Sequence, residues 1–180
     1  MGEKELFLHA DNCTGQNKNN CMLQYLAWCV RTGRHTKITL SFLVVGHTKF
    51  SPDWCFGLFK RLFRRSIVGS LQDMAQVVNE SVHCNSAQLN MTEDGTVNVP
   101  IFDWTSFFAP NMRKFNGIKK YHHFRFSSSK PGGMYVQLQS DSPEHNLLKD
   151  EDWRPESSLL PDQVTPKGLS IERQWYKHVP

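Results

Sequence analysis

The stretch Glu5–Val30, "ELFLHADNCTGQNKNNCMLQYLAWCV", decides the fold class. It opens with a short apolar run, Glu5 to Ala10, and Asp11 closes that run. From Asn12 to Asn20 the chain is polar and holds Gly15 with several amides. A run of this length predicts a central β-strand covered on both faces, and Gly with amides predicts a strand-to-helix turn. From about Lys18 to Thr32 the spacing predicts a helix. Met22, Tyr25, Leu26 and Cys29 form one stripe, and Leu23, Ala27 and Val30 form a second. A helix apolar on two sides is expected to be packed on both. Gly33 suits the left-handed position just past a helix end.

Outward from this unit the alternation continues. Ile38 to Val45 is a near-continuous apolar run ended by Gly46, which predicts a second central strand. "HTKFSPD" reads as a loop, and Pro52 suits the opening of a helix over Asp53–Arg65. In that helix Trp54, Leu58, Leu62, Phe59 and Phe63 recur every three or four residues. Ser70 with Asp73 three residues on predicts a capped helix over "LQDMAQVVNES". "EDGTVNVP" predicts a turn into a strand, and "FDWTSFF" a short helix capped by Asp103. "KYHHFRFSS" and "GMYVQLQS", separated by "SSKPGG", predict a hairpin. Beyond Ser140 the composition predicts an extended polar tail with a short helix over "GLSIERQWYKHV".

The reading is therefore an α/β chain: a strand–helix–strand–helix core over residues 1–69, an α+β appendage over 70–140 and the tail over 141–180. With 180 residues and 39% hydrophobic content there is material for a sizeable core. No apolar run reaches the roughly 20 residues of a membrane span, and the N-terminus has no basic and apolar signal pattern. Five cysteines without a CxxC pair argue against a zinc site and for a reducing compartment, nuclear or cytoplasmic. The net charge of +4 permits a polyanionic partner without requiring one.

Two loops follow the two predicted strands. One carries Asp11 and Asn12; the other carries His47, Thr48 and Asp53. In open α/β sheets ligands bind at the carboxyl ends of strands. Two carboxylates meeting there suit Mg²⁺ or Mn²⁺, and paired ions clamp both oxygens of an in-line phosphoryl displacement. Asn12, Gln16 and Asn17 would orient the carboxylate or touch a phosphate, and Lys18 would help hold an anion. Each residue also has a plainer reading. Asp11 suits an Asx turn or cap, Asp53 a first-turn helix acid, and His47 a hydrogen-bonded loop residue.

The pairing of "LHADNCTGQNKNN" with "ITLSFLVVGHTKFSPDWCFGLFK" resembles a family of transposon-derived proteins whose C-terminal domain has no assigned function. "FDWTSFF", "IKKYHHFRFS" and "GLSIERQWYKHV" are similar to its later segments. That family is in turn similar to ribonuclease H-like transposases, which cut and join DNA with a metal-binding triad of acids. The resemblance implies catalytic roles for Asp11 as the second acid and Asp53 as the third, both as metal ligands, with His47 in the same motif. The first acid would precede Met1. The chain is thus expected to be a truncated piece, inactive alone in metal-dependent DNA strand cleavage and transfer. The alternative is a domesticated module that binds nucleic acid or protein without catalysis.

DNA is the expected partner, with a second copy or the remainder of a transposase beside it; no small-molecule substrate and no membrane are expected. Lys60, Arg61, Arg64 and Arg65 close the second helix and could follow a phosphate backbone. Helix C-terminal charges explain Arg64 and Arg65 equally well. "IKKYHHFRF" interleaves cations with aromatics, but Phe124 and Phe126 alternate as core residues do.

Overall fold

The computed structural model describes residues 3–43, 51–92, 94–137 and 144–165, Ser51 in its backbone only. The elements are β1 (Glu5–Ala10), α1 (Asn20–Arg31), β2 (Lys37–Phe42), α2 (Ser51–Phe63), α3 (Leu71–Ser81) and α4 (Trp104–Phe108). A 3₁₀ turn (Ile118–Lys120) and the strands β3 (His123–Ser127), β4 (Gly133–Gln137) and β5 (Glu144–Asn146) follow. The fold is mixed α/β. Among the described residues five strands form one sheet in the order β1-β2-β3-β4-β5. β1 and β2 run parallel, Glu5 opposite Lys37 through Ala10 opposite Phe42, and every other pair is antiparallel.

The expectation of two central strands covered on both faces needs correction. Among the described residues β1 is an edge of the sheet, and Phe7 on it is 63% exposed. β2 is central but buried on one face only. Ile38, Leu40 and Phe42 are sealed, whereas Lys37, Thr39 and Ser41 are half-exposed. The period of two carries this: both strands alternate, and alternation marks a sheet with one wet face. β3 repeats it, with Phe124 and Phe126 buried and His123 and Arg125 outward. The inward-packing reading of "HFRF" is therefore the one the fold adopts.

α1 lies on the dry face. The Asn19 side chain accepts from the Met22 N–H at 2.9 Å to start the helix. Gly33, at φ 74°, ends it in the left-handed region. As its two stripes predict, α1 is packed on two sides. Leu23, Ala27 and Val30 are buried, and Trp28 meets an aromatic cluster of Trp104, Phe107 and Tyr25. Asp103 starts α4 by accepting from the Ser106 N–H at 3.0 Å, and Trp104 stacks on Phe108.

α2 and α3 form an arm and pack chiefly against each other. The Ser70 and Asp73 side chains complete a reciprocal capping box at the start of α3. α2 starts at Ser51, so Pro52 falls in its first turn. None of its described residues is fully buried, and Trp54, Phe56 and Phe63 face solvent. The strand expected after "EDGT" is only an isolated bridge, Met91 to Val97. There Asn98 N–H donates to the Asn90 carbonyl and Thr92 N–H to the Thr96 carbonyl, and Val99 N–H shares the Asn90 carbonyl.

The extended-tail reading is also corrected over 144–165. β5 pairs with β4, and Leu147 and Leu148 are buried in the core. Arg31 holds three carbonyls: Trp153 at 2.5 Å, Glu151 at 2.7 Å and Pro131 at 2.9 Å. Arg34 reaches the Ser157 carbonyl at 2.6 Å and lies 4.0 Å from the Trp28 ring centroid. Val164 N–H donates to Ile101 O at 2.8 Å. One sheet thus takes strands from all three segments into which composition divides the chain. The helix expected over "GLSIERQWYKHV" lies outside the described residues. Among the described residues no helix is long and apolar enough to cross a membrane.

Candidate functional site

The parallel pairing of β1 and β2 brings their carboxyl ends to one edge of the sheet, and Leu43 N–H extends the register by donating to Ala10 O at 3.0 Å. Asp11 is the first residue beyond that edge. Its Oδ1 accepts from the Cys13 N–H at 3.2 Å and from the Asn17 amide at 2.6 Å. The first contact is an Asx turn; the second fixes the carboxylate's orientation. No described residue bonds its Oδ2. The loop is closed from within, because the Cys13 carbonyl accepts from the N–H groups of Gln16, Asn17 and Lys18.

The amides are mostly structural. Asn19 caps α1, Asn20 Oδ1 takes the Phe115 N–H at 2.7 Å, and Asn12 Oδ1 accepts from the Lys18 ammonium at 2.9 Å. Of Asn12, Gln16 and Asn17, Gln16 is the well-exposed one. Lys18 is a correction. It is only 2% exposed, and its ammonium also donates to the Lys119 carbonyl at 3.2 Å and sits 5.2 Å from the Phe42 ring centroid. The tight turn on Cys13 aims this side chain at the sheet rather than at solvent. Burial lowers its pKa from the ordinary lysine value. Lys18 ties the Asp11–Asn12 corner to the 3₁₀ turn and is not available to a phosphate.

Asp53 stands in the first turn of α2, where the macrodipole favours an acid. His47 and Thr48 lie outside the described residues. Lys60, Arg61, Arg64 and Arg65 are all exposed, and among the described residues none of the four makes an ion pair. The structure therefore gathers Asp11, Asn12, Asn17 and Lys18 in one hydrogen-bonded corner and places Asp53 and the four cations on the α2–α3 arm.

The donor set decides what the corner can hold. Among the described residues no group of three or more His, Cys, Asp or Glu side chains is placed to hold a metal. A preassembled triad is therefore not present there. A carboxylate with one oriented and one unbonded oxygen fits Mg²⁺ or Mn²⁺ held by one or two acids plus water and substrate oxygens.

Sequence reasoning missed the wet face of the sheet. There Lys37 sits 5.6 Å from the Phe7 ring centroid and Arg125 sits 5.0 Å from that of Tyr135, and His123 meets the Ser41 hydroxyl at 3.0 Å. Polar residues alternating through "KITLSF" and "HFRFS" were the available signal.

A family model described as "Domain of unknown function (DUF7869)" matches residues 3–143, more than half of the chain. The chain belongs to the DUF7869 family. No curated protein matches it, and no solved structure matches it. The DUF7869 span covers β1 through β4 and ends just before β5, so the Asp11 corner and the α2–α3 arm both lie within it.

Proposed function

We propose that this chain is part of a ribonuclease H-like core from a transposon-derived protein, whose ancestral chemistry is metal-dependent DNA strand cleavage and transfer. One observation carries the reading: Asp11 follows the first of two parallel strands, and the helix holding Asp53 follows the second. In this reading Asp11 and Asp53 hold a divalent cation, Asn17 orients Asp11, and His47 lies in the Asp53 loop. A bound ion of this kind polarises a phosphoryl oxygen and lowers the pKa of its water. The exposed Lys60, Arg61, Arg64 and Arg65 follow the DNA backbone.

The test is thermal unfolding with Mn²⁺ or Mg²⁺. An ion bound by the folded chain raises the melting temperature by mass action, about 2.7 kcal/mol at a hundredfold excess over Kd. Asp11→Asn and Asp53→Asn should each remove that rise. A melting temperature indifferent to both ions, with Ca²⁺ and Zn²⁺ as controls, refutes the metal site.

A second reading, nucleic-acid binding without catalysis, draws on the wet sheet face. Its cation–ring pairs and the four cations of the arm suit a polyanion with stackable bases. An oligonucleotide-dependent stabilisation that weakens with salt, with no response to metal, favours it.

A further inference from the structure

A cleft of about 460 Å³ opens between α2 and the chain after α3, walled by Pro52, Phe56, Phe59 and Val78. Two thiols share its rim. Cys55 is half-buried on α2, and Cys84 is exposed in the turn after α3. Their sulfurs are 3.6 Å apart, in contact across 29 residues of chain. A disulfide needs about 2.05 Å, so each sulfur would move by less than about 1 Å.

The turn that carries Cys84 is itself held in place. Asn85 N–H donates to Val82 O at 2.9 Å, and the Asn85 amide donates to the Ser81 hydroxyl at 2.8 Å and to the Cys55 carbonyl at 3.5 Å. The same side chain thus ties the turn both to the end of α3 and to the backbone of Cys55. No other pair among the five cysteines is in sulfur contact among the described residues, and Cys29 is buried in the core.

We propose that Cys55 and Cys84 are a redox modification site that closes to a disulfide in the presence of a hydroperoxide. Cys84, the exposed sulfur, attacks the peroxide as thiolate; the O–O bond breaks, and Cys84 becomes a sulfenic acid while the leaving oxygen takes a proton as water or alcohol. The Cys55 sulfur then attacks the Cys84 sulfur. The S–S bond forms, the S–O bond breaks, and water leaves with the Cys55 proton. The two sulfurs lose two electrons and the peroxide gains two. A dithiol reverses the change. The bond staples α2 to the turn after α3 and narrows the cleft. The pair shares α2 with Asp53, two residues from Cys55, but the disulfide requires only the contact of the two sulfurs and does not rest on the function proposed for Asp11 and Asp53.

The test uses the whole chain with stoichiometric hydrogen peroxide, alkylation of remaining thiols and peptide mapping. The expected result is a loss of about 2 Da, a linked peptide pair containing Cys55 and Cys84, and reversal by dithiothreitol. Linking should run about tenfold faster in native protein than in guanidinium, because the fold supplies the proximity. With Cys55→Ser, Cys84 should instead accumulate as a sulfenic acid that dimedone traps. The proposal is overturned if native protein gives no Cys55–Cys84 peptide, if Cys13 is the partner found, or if linking is as fast in the unfolded chain.

Discussion

Arg31 anchors the carbonyls of Glu151 and Trp153 to α1, and replacing it gives a measurable consequence. Its guanidinium donates through Nε, Nη1 and Nη2 to three separate carbonyls, Trp153, Pro131 and Glu151. A hydrogen bond to a charged group contributes about 1.5–3 kcal/mol when shielded. The Trp153 bond is part-buried and takes that value; the other two are exposed and contribute less, about 0.5 kcal/mol each. Arg31→Met should therefore cost about 3 kcal/mol. At about 2–4 °C per kcal/mol for a chain of this size, the melting temperature falls by about 6–12 °C.

Arg31→Lys separates charge from shape. An ammonium keeps the positive charge at the end of α1 but cannot span three carbonyls with a planar fork. It should recover less than half of the loss. The assay is thermal unfolding by circular dichroism, paired with limited proteolysis of the folded protein. In Arg31→Met new cuts should appear within residues 149–160, because that backbone loses its anchor on α1. A loss under about 0.5 kcal/mol with unchanged proteolysis would refute the idea that Arg31 pins this segment.

Three further outcomes follow from the geometry. Gly132 has φ +96°, and a Cβ there would collide with the Leu148 side chain, so Gly132→Ala should lose about 2–4 kcal/mol in urea unfolding; a loss below about 1 kcal/mol would contradict that close approach. Ser70→Ala removes the side chain that receives the Asp73 N–H and should cost about 1 kcal/mol, read as faster amide exchange in the first turn of α3 and nowhere in the sheet. Burial lowers the Lys18 pKa, so the folded chain releases that proton before the unfolded chain does; the stability of the native protein relative to Lys18→Met should rise as pH climbs from the lowered value toward the ordinary 10.5, and a difference that stays flat or falls over that range would show the ammonium is not buried as described.

What was legible in the chain follows from how local its cause is. The start and stop of α1, the Ser70 and Asp103 caps and the β3–β4 hairpin rest on neighbours within a few residues, and all of them are present. The status of β1 rests on which strand lies beside it, which its own residues do not record. Leu6, Leu8 and Ala10 look alike in an edge strand and a central one; only the outward Phe7, His9 and Glu5 hint at a wet face. The end of the chain misled for a related reason. Leu147 and Leu148 are two apolar residues in a polar stretch, and they are buried because Gly132 and Arg31 far upstream leave room and anchors for them. At the site, Asp11 and its amides stand out as a cluster, but burial of Lys18 depends on Phe42 and Lys119, distant in sequence.

The two readings of Asp11 differ in what they require of its charge. As an Asx-turn residue it needs one oxygen able to accept from the Cys13 N–H and the Asn17 amide. An asparagine supplies that oxygen in the same place, so Asp11→Asn should then leave stability within about 0.5 kcal/mol of the native protein and also leave any response to Mn²⁺ intact. As a metal ligand it needs a carboxylate, because a hard divalent cation prefers charged oxygen and the amide nitrogen that replaces Oδ2 cannot coordinate. The same substitution should then keep the fold, because the Oδ1 bonds persist, yet abolish the metal-dependent rise in melting temperature. Asp11→Ala completes the comparison: it removes both bonds, costs about 1–2 kcal/mol in either reading, and so reports the turn without reporting the metal. Native metal response in Asp11→Asn would leave the corner as a turn and nothing more.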